Sequence, residues 1–325
     1  VSQVVSNVMD KEQNVWIANT EGKFVHDTRT YVRFAHSVIA SANGQMQRSF
    51  EGPGAYRGYE FLDDMQIEEL AKDVADIAIK MLHADEMKGQ VLPVVVHNAF
   101  GGVLLHEACV HSLEATLVAK GASVFSNRLN QKIASDIVTA VDDGTHPNAW
   151  GSLNVDDEGN PTKRNVLIEN GVLKSYLVDY RNDRRMQHGI TGSGRRESYK
   201  YSPTSRMNNT FFTNGQSTFD EIIAATEYGM FAKKMGGGSV NPSTGEFNFA
   251  VEEAYMIENG KITKPVRGAT LIGSGSKVLM NIDMIGDNLT HGQGMCGSVS
   301  GSIPTNVGQP TIRVQNMTVG GRGGE

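Results

Sequence analysis

Apolar and polar residues alternate through most of the first fifty positions, in "VWIA", "KFVHD" and "YVRFAHSVIA". A period of two predicts strands with one buried face, here joined by a turn at Glu21-Gly22. Asn43-Gly44 then predicts a tight hairpin with "QMQRSF" as its return strand. After the loop "EGPGAYRGYE" the period changes. Ile67, Leu70, Val74, Ile77 and Met81 recur at spacings of three and four, which predicts an amphipathic helix from a cap at Asp63 or Asp64 to about Met87. Gly89 ends it. The apolar run "VLPVVVH" at residues 91–97 reads as a buried strand, and Gly101-Gly102 make a sharp entry into a second helix. That helix is expected to be continuous over residues 103–119, with Gly121 as its stop.

Downstream the pattern is mainly β. "NVLIENGVLKSYLV" and "EAYMIENGKITKPV" share IENG between two strand-like runs, predicting two Asn-Gly hairpins; two matches are too few for a repeat architecture. Thr218 to Glu221 form a capping-box pattern for a short helix ending near Tyr228-Gly229. "NVDDEGN" resembles a calcium loop but has Asn165 where the bidentate Glu is required, so a β-turn is expected. The tail "VGGRGGE" is expected to fray. The whole reads as α+β, with mixed and antiparallel sheets. An N-terminal α+β domain is expected over 1–90 and a β-rich C-terminal domain over 91–325.

Composition narrows the function classes. In 325 residues, 39% hydrophobic and 20% charged, there is enough apolar material for a sizeable core and no signature of disorder. The 30 basic and 36 acidic residues are dispersed, giving a net charge of -6, so no nucleic-acid footprint is visible. The basic clusters at 181–185 and Arg195-Arg196 are interrupted by Asp183 and followed by Glu197, and read as solvated or locally paired surface. No apolar run reaches the roughly eighteen residues of a membrane span, which predicts a soluble protein. The N-terminus has no signal-like region and no initiator Met, so it reads as truncated or processed. Two cysteines make no disulfide framework, which points to a reducing, cytoplasmic compartment.

Candidate chemistry concentrates in "LLHEACVHSLEA", residues 104–115. In a zinc-protease helix two histidines four apart lie about 40° apart around the axis and reach one ion. His106 and His111 are five apart, which on a regular helix separates them by about 140°. Three readings follow from spacing. A π-bulge or an early helix end could bring both imidazoles to one ion, with Glu107 beside it. Alternatively Glu107, His111 and Glu114, within about 60° of one another, could bind iron or manganese. The third reading is a purely structural helix. The first needs a third ligand, and "LTHGQGMCGSVSGS" offers Cys296 from a glycine-rich loop, with His291 as its rival.

The blocks "LLHEACVHSLEA", "GASVFSNR", "TAVDDGT", "DDEGNPTKRNVLIENGVLKSYLVDY", "TGSGRRESY", "EAYMIENGKITKPVRGATLIGSG" and "GQPTIRVQNMTVGG" together resemble the TldD/PmbA family, on the TldD side. The resemblance is close over 91–325 and loose over 1–90, where part of the N-terminal domain seen in the family is missing. It implies an HExxxH element at His106, Glu107 and His111, with Cys296 as the C-terminal cysteine. In that family these residues bind zinc, with the glutamate as catalytic base, in a peptidase that trims unfolded or modified peptides. Zn2+ held by His106, His111 and Cys296 would polarise the scissile carbonyl and acidify water, while Glu107 moves the proton to the leaving amine. The resemblance also implies a homodimer, or a heterodimer with a PmbA-like (TldE-type) subunit. Two departures stand out: Val110 replaces an expected glycine, and "GSVSGS" follows Cys296. Val110 and the shortened N-terminus support a rival expectation, a catalytically silent partner subunit or peptide-binding scaffold. For the oxyanion, Arg195 and His291 are the candidates, and an extended peptide is expected to bind by adding as a strand.

Overall fold

The computed structural model describes residues 1–321. The alternating N-terminal pattern becomes one long antiparallel ribbon. Gln3–Ala18 pairs with Phe24–Ala42 in unbroken register, from Gln3 opposite Ile39 to Ala18 opposite Phe24. Alternation buries Val32, Phe34, Val38 and Ala40 of the second strand, while the first is exposed along most of its length. Gln45–Glu51 returns through Asn43 and Gly44, whose φ values of 52° and 76° are those of a hairpin turn that only such residues adopt readily.

The amphipathic helix spans Ile67–Leu82 and lays Val74, Ala78 and Leu82 on Val38 and Ala40. Its ends differ from expectation. Asp63 and Asp64 belong to a separate 3-10 turn, Tyr59–Asp64, and Gln66 stands at the helix boundary without a side-chain cap. The helix stops short of Met87 because Asp85 and Glu86 are drawn into pairing with Val266 and Arg267.

The apolar run becomes the strand Gln90–Val96, flanked on both sides, which is why it carries no alternation. It lies parallel to Tyr228–Asn241 and antiparallel to Ile312–Gly320. The latter pairs with Thr270–Ser274, that strand with Glu246–Glu258, and Glu246–Glu258 back with Tyr228–Asn241. These five strands therefore close into a barrel, with Val94, Phe249, Leu271 and Met317 in one buried cluster. A second, six-stranded sheet runs Thr290–Ser298, Gly301–Gln309, Asn209–Phe212, Ala140–Asp143, Arg164–Glu169, Val172–Leu173. Only its Asn209–Phe212 to Gly301–Gln309 junction is parallel.

Mixed sheets with few helices match the α+β expectation; barrel closure goes beyond it. Both IENG sequences form hairpins, with φ of 48° and 80° at Asn170-Gly171 and 53° and 68° at Asn259-Gly260. The capping box is complete: Glu221 N donates to Thr218 Oγ1 at 3.3 Å and Thr218 N to Glu221 Oε2 at 2.8 Å, opening the helix Phe219–Ala224. Asp156 of "NVDDEGN" accepts the backbone N–H groups of Glu158 and Asn160, a turn that spends the carboxylate on the chain itself. Of the tail, Val319 and Gly320 end a paired strand, and residues 322–325 lie outside the described residues. Among the described residues no helix is long and apolar enough to cross a membrane, and both cysteines are free.

Candidate metal centre

The helix expected over 103–119 is broken twice. Val103–Ala108 is helical, Cys109 leaves helical space at φ −131° and ψ −59°, and Val110–Leu113 forms one 3-10 turn. Glu114 is then extended, with ψ 124°, before the short turn Ala115–Val118. Tertiary pairing supplies the reason for the second break: Ala115 N donates to Leu177 O at 2.8 Å, and Leu177 N to Leu113 O at 3.1 Å. Bonds to the 177 segment thus replace bonds the continuous helix would have made. The first break falls between the histidines and is an early helix end, one of the two distortions the five-residue spacing required. Val110 follows that end, opening the 3-10 turn with its side chain buried in the main core.

The break turns the His106 and His111 rings edge-on, with centroids 4.8 Å apart. Close packing fixes the segment. A Cβ on Gly102 would lie 2.4 Å from Gly308 N, so the helix start is pressed against the Gly301–Gln309 strand. Cys296 arrives on the partner of that strand, Thr290–Ser298, opposite Ile303. It therefore sits in a regular hairpin strand, not in the glycine-rich loop expected for it. Its Sγ is 3.3 Å from His106 Nε2 and 3.4 Å from His111 Nε2, and the three ligand atoms lie within 4.8 Å of one another.

This donor set fits zinc. Bond lengths near 2.0–2.1 Å to nitrogen and about 2.3 Å to sulfur put the N···S edge of a tetrahedral site at about 3.6 Å, close to both separations here. His106 Nδ1 is buried with no protein partner, so its ring is held by what surrounds Nε2. Burial opposes ionisation of the Cys296 thiol, but the charge of the two imidazoles overrides it and brings the thiol down to about 3. The thiolate that a zinc site requires is thus already favoured by the fold.

Two carboxylates face opposite nitrogens of His111. Glu107 Oε2 lies 3.7 Å from Nε2 and Glu114 Oε1 lies 3.3 Å from Nδ1. Glu107, His111 and Glu114 therefore do not converge on one point through one imidazole nitrogen, as the iron or manganese reading needs. Glu107 is partly open to solvent beside the cluster, whereas Glu114 is buried behind it. Glu114 also approaches Arg206, whose Nε is 3.9 Å from Oε1. Fully buried Arg206 donates to Ser300 Oγ at 2.7 Å, Gly301 O at 3.0 Å and the Cys296 carbonyl. It ties the carboxylate behind one candidate ligand to the backbone of another. No spacing signal marks Arg206 in the sequence, because its partners are 90 or more positions away.

The other candidates lie elsewhere. His291, an odd number of residues from Cys296 along the strand, faces the other way and stacks edge-on with His146 and Phe211 at 5.0 and 5.1 Å. Arg195 is buried and donates to Met207 O.

Residues 88–321 match the PmbA/TldA metallopeptidase C-terminal domain and residues 1–82 the PmbA/TldA metallopeptidase central domain. The chain belongs to the PmbA/TldD family. Its relatives include a Metalloprotease TldD homolog of Buchnera aphidicola, 41% identical over an alignment of 330 positions that covers 99% of this chain and 68% of that protein. Another Metalloprotease TldD homolog, of Haemophilus influenzae, is 42% identical over 99% of this chain and 68% of its own length. A Zinc metalloprotease TldD homolog of Saccharolobus solfataricus is 29% identical over 81% of this chain and 59% of its own length. Among solved structures, TldE of Thermococcus kodakarensis shares the fold with a TM-score of 0.77 at 19% identity, over 98% of this chain and 68% of that one. A putative modulator of a DNA gyrase from Thermotoga maritima does so with 0.78 at 24%, over 97% and 68%.

Proposed function

We propose that this PmbA/TldD chain is a zinc-dependent peptidase of unfolded or extended peptides, with His106, His111 and Cys296 as ligands and Glu107 as general base. The observation that carries this is the convergence of two imidazole Nε2 atoms and a thiol, contributed by a broken helix and a distant strand, within 4.8 Å. Zinc bound there supplies Lewis acidity, polarising a peptide carbonyl and lowering the pKa of water. Glu107 stands at the half-open side, 3.7 Å from His111 Nε2, where it accepts the proton of an attacking water and passes it to the departing amine. Glu114 fixes the His111 ring from behind. Strand edges bind the extended peptide through its backbone, which gives affinity with little sequence preference. The chain works as a dimer, with itself or with a TldE-type subunit; the shared fold with TldE supports such an assembly.

Glu107→Ala tests the assignment. Zinc content stays near one per chain while hydrolysis of an unfolded peptide disappears. Unchanged hydrolysis removes Glu107 from the mechanism. Absence of zinc from the unaltered protein under metal-replete conditions favours instead a silent partner or scaffold.

A further inference from the structure

A cavity of about 90 Å³ lies beside the Cys296 hairpin and has no part in the mechanism above. At about 30 Å³ per water, roughly three waters fill it, enough for a carboxylate with a small side chain and too little for a folded partner. Its walls are mixed. Trp150, Leu153 and Ile303 contribute apolar surface, while Lys11, Arg29, Arg195 and Arg196 bring four positive charges against the two carboxylates of Asp157 and Glu197. Those carboxylates are already engaged. Asp157 accepts from Arg29 Nη1 and from Arg196 N, each at 2.7 Å, and Glu197 accepts from Ser302 N at 2.7 Å.

Arg195 is the group left over. It is 2% exposed, its Nη1 donates to Met207 O, and its Nε has no protein partner. Arg195 nevertheless lines the cavity, and a carboxylate is the acceptor that matches the planar fork of a guanidinium. The cavity also has a fixed relation to the candidate metal centre. Met295 precedes Cys296 in the chain, and Ile303 is its cross-strand partner; both line the cavity. Cross-strand partners have Cβ atoms about 5 Å apart, so the basic pocket and the sulfur are separated by the length of a few extended residues.

We propose that this cavity holds the free α-carboxylate at the C-terminal end of the peptide, so that hydrolysis releases C-terminal fragments of one constant, short length. The inference rests on the peptidase reading for its substrate but makes a separate claim about binding. The test uses the full zinc-loaded chain carrying Glu107→Gln and two fluorescent peptides identical except for a C-terminal acid or amide. Anisotropy is expected to show the amide binding about tenfold or more weaker, a difference that Arg195→Met brings close to unity. Because Arg195 is buried, Lys11→Glu at the exposed rim gives a second reading that spares the core; it weakens the acid peptide severalfold and leaves the amide unchanged. Equal binding of acid and amide overturns the proposal. So does inorganic phosphate occupying the cavity without displacing the acid peptide. With the unaltered enzyme, mass spectrometry is expected to find one C-terminal fragment length across peptides. Efficient cleavage of both acid and amide at scattered internal bonds would leave the peptidase reading standing and remove the carboxylate site. A strong acid preference without any cleavage would do the reverse.

Discussion

Glu114→Gln isolates the carboxylate behind His111. Glu114 Oε1 lies 3.3 Å from His111 Nδ1, and its side chain is only 8% exposed. For a charged pair at that distance, an effective dielectric constant of 20 gives a gross attraction of about 5 kcal/mol. Removing the carboxylate from water offsets most of that. What remains is the value of orienting the ring, which for carboxylates behind metal-binding histidines amounts to about 10–100-fold in metal affinity, or about 1.4–2.7 kcal/mol. Glu114→Gln is therefore expected to weaken zinc binding by that factor, read by competition against a chromogenic chelator at equilibrium. Cys296→Ala, which removes a direct ligand, is expected to weaken it further. Unchanged affinity in Glu114→Gln would refute the orienting role. A loss as large as that of Cys296→Ala would make Glu114 a ligand and overturn the centre built on His106, His111 and Cys296.

Further expectations concern protonation and packing. In the zinc-free protein the Cys296 thiol, held at about 3, stays ionised, so its ultraviolet thiolate absorbance is flat between about pH 5 and 8 and absent in Cys296→Ala. A step near the ordinary cysteine pKa would contradict this; burial pushes Cys109 up, so it adds no thiolate in that range. His291 is lowered to about 4 by burial and by the neighbouring His146. The unfolded chain takes up this proton below about pH 6.5 and the folded one only near 4, so stability present above 6.5 declines as pH falls through that window, by roughly 3 kcal/mol at most. His291→Phe is expected to flatten the slope in denaturant melts, and an unaltered slope would refute it. Gly275→Ala would place a Cβ 1.6 Å from Ala108 O, at the end of the helix carrying His106. The expected destabilisation is about 1–3 kcal/mol with weakened zinc binding, and a wild-type melting temperature would show that the backbone yields freely.

Local signals were legible and distant pairings were not. The Asn-Gly turns, the Thr218 capping box and the apolar stripe of residues 67–82 are written in neighbouring residues, and each forms where its chemistry demands. The helix around His106 misled, because neither Cys109 nor Glu114 is a helix breaker by type. The second break comes from Leu177, more than sixty positions away. The five-residue histidine spacing did show that some distortion was needed. Barrel closure depends on residues 90–96 lying between 228–241 and 312–320, which periodicity cannot foresee. Glu114 looked like a ligand from its place on an ideal helix. With the helix broken, it faces the other side of the imidazole.

His106 and Cys296 are separated by 190 positions, and the sulfur arrives on one of the last strands of the second sheet. A ribosome-bound fragment ending before that hairpin holds two imidazoles and no thiolate, and two neutral donors bind zinc weakly. Metal uptake at that set is therefore coupled to a long-range pairing made by one of the later strands of the chain. On the peptidase reading proposed above, bond-breaking capacity then follows only once that hairpin has paired, which spares copies of the same chain that are still unfolded from being cut as they emerge.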